Sequence, residues 1–203
     1  MASIFREPDR AFDPMRALLG ESDRGCILVG GAYVDEQLAC LLEARFRRDS
    51  GNNDKLIDWL LRERPNPPLG STGSKSALCM ALGLISEGTY KAVRSLSKLR
   101  NERAAHFAGQ MTFRNRVVRS HVQNMADGLG GFEWFYRWYW KQFPKGRRHF
   151  PPTRRRFMSA IAVTVGCLLK AEECLQNHQP IDLGPLRPEW MQYKPPTEPP
   201  PEG

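Results

Sequence analysis

The segment that most constrains the fold is the run Phe157 to Leu169, 13 residues of almost uninterrupted apolar character. As a helix it is too short to cross a bilayer, which takes about 20 residues. Its apolar positions Phe157, Ile161, Val165, Leu168 and Leu169, continued by Leu175, recur at helical spacing. This spacing predicts a long helix over about 153–177. Upstream the same period predicts helices over about 23–48, 54–63, 74–86, 89–107 and 113–127. Ser22, Ser74 and Thr112 are read as their N-terminal caps. The segment 74–86 is apolar nearly all round, which predicts a central buried helix. Gly30-Gly31 costs helix propensity, and the expected return is close approach of a second helix. Breakers such as Ser50-Gly-Asn-Asn and Pro65-Asn-Pro-Pro separate the segments. No segment reads as a strand. The expected fold class is all-α: a single-domain bundle of about six helices with antiparallel neighbours.

Composition agrees with a folded domain. The chain has 203 residues, 41% hydrophobic and 26% charged, which excludes disordered and fibrous classes. The expected organisation is a flexible N-terminal arm over 1–21, a helical domain over 22–178 and a proline-rich tail over 179–203. The N-terminus lacks the apolar run of a signal peptide, so a cytoplasmic protein without membrane contact is expected. Five cysteines, Cys26, Cys40, Cys79, Cys167 and Cys174, form no C-x-x-C pair and suggest neither a disulfide framework nor a zinc site. No metal or other cofactor is expected.

The charge is concentrated. Lys141, Lys145, Arg147, Arg148, Arg154, Arg155 and Arg156 lie together without an acidic residue between them. Removing those seven from the formal net charge of +8 leaves +1 for the rest of the chain. Such a segment is either a solvated loop or an RNA- or DNA-binding surface. Just before it stands Phe132-Glu-Trp-Phe-Tyr-Arg-Trp-Tyr-Trp. Trp134, Tyr136, Trp138 and Trp140 are expected at a dimer interface or in the core, and the alternative is a stacking platform for single-stranded nucleic acid in the aromatic-basic segment 132–156.

One pattern suggests chemistry: Leu99-Arg100-Asn101-Glu102-Arg103-Ala104-Ala105-His106-Phe107. This run, Asp23-Arg-Gly-Cys-Ile-Leu-Val-Gly-Gly-Ala-Tyr-Val-Asp-Glu-Gln-Leu, Gly70-Ser-Thr-Gly-Ser-Lys-Ser-Ala-Leu-Cys-Met-Ala-Leu-Gly-Leu-Ile and Arg154-Arg-Arg-Phe-Met-Ser-Ala-Ile together resemble the mannitol operon repressor family over about residues 22–177. That resemblance implies a self-associating helical bundle, often a homodimer. It also implies a repressor or co-repressor acting on transcription through a protein partner without its own helix-turn-helix. The Arg-Asn…His run is also similar to the signature of the wider HEPN superfamily. There the implied activity is that of a metal-independent ribonuclease, a toxin or phage-defence component with an antitoxin partner. In that reading Arg100 holds a phosphate, Asn101 orients the pair and His106 transfers the proton. On a regular helix Arg100 and His106 point roughly 120° apart, so convergence requires a bend, a long arginine reach or a second subunit.

Overall fold

A computed structural model describes residues 8–50, 54–62, 67–104, 112–141 and 150–185. Within them the chain is all α-helical, with no strand among the described residues. The helices are α1 (Pro8–Leu19), α2 (Asp23–Ser50), α3 (Asp54–Leu61), α4 (Thr72–Ala81), α5 (Glu87–Lys98), α6 (Arg116–Gly128), α7 (Phe132–Lys141) and α8 (Pro152–Gln176). A π-helical turn, Leu99–Ala104, continues α5.

The run 157–169 lies at the centre of the bundle. Residues 157–166 of α8 are buried without interruption, because α1, α2, α5, α6 and α7 all pack against this one helix. The central position expected for 74–86 belongs to α8 instead. α4 buries only Lys75, Ser76 and Cys79, and it stops at Ala81. Gly83 takes a left-handed φ of 66°, and the amides of Gly83 and Leu84 bond back to Met80 and Cys79 at 3.1 and 2.9 Å. This is a Schellman ending, so Leu84 and Ile85 reach the core from the turn rather than from a helix.

α2 lies beside α8. It is long and apolar enough, by length and composition, to cross a membrane, and 56% of that stretch is buried in the bundle. The Ser22 hydroxyl accepts from the Gly25 amide at 3.0 Å, as its expected cap role requires. Gly30 serves the expected close approach: a Cβ there would lie 3.1 Å from Ile161 of α8. The expected caps at Ser74 and Thr112 are displaced. Ser71 caps α4 and Asn115 caps α6, each through a side chain accepting a first-turn amide.

Residues 8–19, expected to belong to a flexible arm, form α1. Met15 and Leu18 are fully buried, and each contributes roughly 1.5–3 kcal/mol by leaving water. Docking on α8 and α2 stabilises a helix of a length that is marginal in isolation.

Candidate functional site

The Arg100–Asn101 pair lies on the π-helical turn, where the expected regular helix gives way. Such turns recur at functional sites. Arg100 is half-buried and Asn101 exposed. The aliphatic stem of Arg100 crosses the bare backbone of Gly31 on α2, with its Cδ 3.0 Å from where a Cβ would sit. Glycine at that point of α2 therefore gives Arg100 its path. His106 lies outside the described residues, as do Lys145, Arg147, Arg148 and residues 186–203 of the tail.

The described part of the basic segment is divided by its surroundings. Lys141 is exposed at the end of α7. Arg154 is 7% exposed. It donates to the carbonyls of Leu18 at 3.0 Å and Glu21, and pairs with Asp23 at 3.3 Å. It therefore satisfies the orphan carbonyls after α1 and neutralises the first-turn acid of α2. Asp23 also accepts the Phe113 amide at 3.0 Å. This is a structural joint, and it removes Arg154 from the surface that a polyanion would meet. Arg155 lies over the Trp140 ring at 5.8 Å. Arg156 pairs with Glu133 at 2.8 Å and sits over Phe132 and Tyr136 at 5.0 and 5.6 Å. Arg154 also lies over the Phe150 ring at 4.4 Å, so all three arginines are drawn into contacts with the bundle and each meets an aromatic face.

α7 distributes its aromatics by helical phase. Phe132, Phe135, Tyr139 and Trp140 are buried, and the Trp140 Nε1–H donates to Ser159 of α8 at 3.0 Å. Trp140 is therefore core. Trp134, Tyr136 and Trp138 are half-buried, while Glu133, Arg137 and Lys141 are exposed along one ridge. Trp134 and Trp138 stack at 5.8 Å with ring planes 17° apart. They form an indole ladder on one flank of the charged ridge. The opposite flank carries Phe132 and Tyr136, stacked at 5.9 Å.

Among the described residues, no group of three or more His, Cys, Asp or Glu side chains is placed to hold a metal ion. An open groove between α2 and the end of α8 is lined by Cys40, Glu43, Arg47, Glu172 and His178. Burial raises the Cys40 thiol, and the Glu172 and Glu36 carboxylates add to the effect, opposite to what a nucleophile needs. Burial likewise raises Cys26 and Cys167 from 9.0 to about 11, and Cys79 to about 12. The folded chain keeps these protons where the unfolded chain releases them. Their stabilising contribution is complete below pH 9 and is lost as pH rises toward 11. Urea midpoints should therefore fall between pH 8 and pH 10.5, with a shallower fall in Cys79→Ala. Equal slopes in the two chains would remove this thiol as a cause.

Two ion pairs that hold a buried lysine had no obvious signal in the sequence: Lys75 with Asp35 at 2.8 Å, and Lys170 with Asp182 at 2.7 Å. Arg154 did have one, since it lies three and seven residues before Phe157 and Ile161, on the stripe that α8 buries. Compared with family models, curated proteins and solved structures, the chain matches none.

Proposed function

We propose that this chain is a regulatory protein of the mannitol operon repressor type, a dimeric helical bundle that acts on transcription through a protein partner and not by reading DNA. The outer flank of α7 carries this reading. Stacked, half-buried Trp134 and Trp138 beside exposed Arg137 have the composition of an interface anchor, with aromatic and arginine side chains clustered on a rigid helix. The inward engagement of Arg154, Arg155 and Arg156 weakens the competing nucleic-acid reading of the basic segment.

The test is the double variant Trp134→Ala/Trp138→Ala. Wild type should pass from monomer to dimer in light scattering as its concentration rises above the micromolar range. The variant should dissociate at least tenfold more readily with an unchanged helical circular dichroism spectrum, since interface anchors of this kind are worth about 2 kcal/mol or more. A monomeric wild type that also enriches no transcriptional protein in pull-down would sink the proposal.

A second reading rests on the π-helical turn at Arg100–Asn101. It is the metal-independent ribonuclease in which Arg100 binds phosphate, Asn101 orients and His106 moves the proton. Expression of wild type should then arrest growth and cleave RNA, and His106→Ala should do neither. Equal growth and intact RNA in both strains exclude it.

A further inference from the structure

The last described stretch of the chain is directed at α7. After α8 the backbone turns at His178, whose φ is 53°. Ile181 packs against the core, and Asp182 pairs with buried Lys170 at 2.7 Å. Pro185, the last described residue, lies directly on Gly130, where a Cβ would come within 2.8 Å of it. Gly130 is two residues before α7 begins. The chain beyond 185 therefore starts at the foot of α7, tied there by an ion pair and a glycine contact.

Beyond Pro185 the sequence has 18 more residues, ending Pro195-Pro-Thr-Glu-Pro-Pro-Pro-Glu-Gly. Proline-rich peptides adopt the polyproline II form at low entropic cost and bind surfaces lined by aromatic rings. The Trp134–Trp138 ladder is such a surface. Charge agrees as well. Residues 195–203 contain Glu198 and Glu202 and no Lys or Arg, whereas Arg137 stands exposed on the ridge beside the ladder. Glu133, the acid on that ridge, is paired with Arg156 at 2.8 Å. Length agrees too. Ten residues, from 185 to 195, reach at most about 35 Å, whereas α7 is about 15 Å long. A tether this short gives an effective concentration in the millimolar range, so a weak peptide–aromatic contact suffices.

We propose that the chain's own proline segment, Pro195–Pro201, docks in cis on the Trp134–Trp138 flank of α7 and competes there with the protein partner. The competition rests on the regulatory reading of the chain, whereas the docking itself does not. The tail then acts as a built-in competitor. A partner must displace it, and a chain whose tail has lost its prolines should bind that partner or a second copy several-fold more tightly.

The experiment uses the full chain and a full-length variant with Pro195, Pro196, Pro199, Pro200 and Pro201 all changed to Ser. The readout is the indole N–H resonances in a nitrogen–proton correlation spectrum recorded at micromolar concentration, where the chain is monomeric, assigned through Trp134→Phe and Trp138→Phe. The expected result is that the Trp134 and Trp138 signals differ between the two chains while those of Trp59 and Trp140 coincide. A synthetic peptide of residues 186–203, added to the variant at millimolar concentration, should return both signals toward their wild-type positions. Identical Trp134 and Trp138 signals in the two chains overturn the proposal. Differences that grow with protein concentration assign the occupant to a second copy and overturn docking in cis. Indoles that ignore the tail but move with a single-stranded oligonucleotide overturn it in favour of a nucleic-acid surface. If the indoles respond to the tail but Trp134→Ala/Trp138→Ala leaves self-association unchanged, the regulatory reading fails and the docking stands.

Discussion

Arg154→Met should lower folding stability by about 3–5 kcal/mol, the range for breaking a buried, hydrogen-bonded charge network on one side. Methionine replaces the stem and little cavity is created, so the loss comes from the guanidinium. Its removal takes from the Glu21 carbonyl its guanidinium donor, leaves the Leu18 carbonyl with only the weak Cys26 thiol at 3.2 Å, and takes from Asp23 its cation. Asp23 keeps the Phe113 amide and is 25% exposed in its side chain, which places the cost toward the lower end of that range. In a chain of this size about 2–4 °C of Tm accompanies each kcal/mol, so Tm should fall by roughly 6–20 °C. Amide exchange in α1 should rise more than in α5 or α6, since the C-terminal end of α1 loses its partner. Arg154→Lys should recover only part of the loss, because a single ammonium cannot fork between a carboxylate and carbonyls on different elements. A Tm within about 2 °C of wild type for Arg154→Met would show that water replaces the guanidinium without penalty.

Gly88→Ala should be the most damaging single-methyl change in the bundle. A Cβ on Gly88 would lie 1.8 Å from the Gly128 carbonyl oxygen, and a Cβ on Gly128 would lie 2.8 Å from the Gly88 oxygen. α5 and α6 thus meet backbone to backbone at a pair of glycines. Neither obstacle is the end of a flexible side chain, so the helices themselves must part. Overpacking typically costs about 1–3 kcal/mol, and a backbone obstacle calls for about 3. Improved helix propensity returns about 1 kcal/mol. The net is about 2 kcal/mol, or roughly 4–8 °C of Tm. Gly30→Ala is the contrast: its Cβ meets Ile161 side-chain atoms at 3.1 and 3.2 Å, and a small rotation relieves that contact. Thermal unfolding of both variants tests the ranking, and an equal or larger fall for Gly30→Ala would refute it.

Periodicity was enough to locate most helices. α2, α3 and α8 fall close to their expected spans because their apolar residues recur at the helical period and their breakers flank them. Features set by another part of the chain were hidden. The apolar patch Met15–Leu19 is too short to predict a helix, and α1 forms because α8 and α2 supply the surface it covers. The all-round apolar character of 74–86 is shared between a short helix and a glycine turn, which no window average separates. Gly88 reads as punctuation in sequence and is a crossing point in space. The basic run reads as one feature. In space Arg154 faces inward, Arg155 and Arg156 lie against aromatic rings and Lys141 is exposed. Similarly, the seven aromatics of α7 reveal their number and not their division between core and flank.

The central place of α8 has a consequence for how the chain comes to be folded. Its partners α1 and α2 are made first, and the contacts that join them span most of the sequence: Arg154 to Asp23 across 131 positions and Gln37 to Glu172 across 135. At about 5–20 residues per second, the ribosome needs roughly 6–25 s between completing α2 and completing α8. Until then the apolar faces of the earlier helices have no common axis to cover. The bundle is helical in its local structure but non-local in its topology, and it should fold more slowly than a bundle of hairpin-connected neighbours. In the cell, that interval exposes Ile27, Val34, Leu38 and Leu41 to chaperones before α8 can reach them.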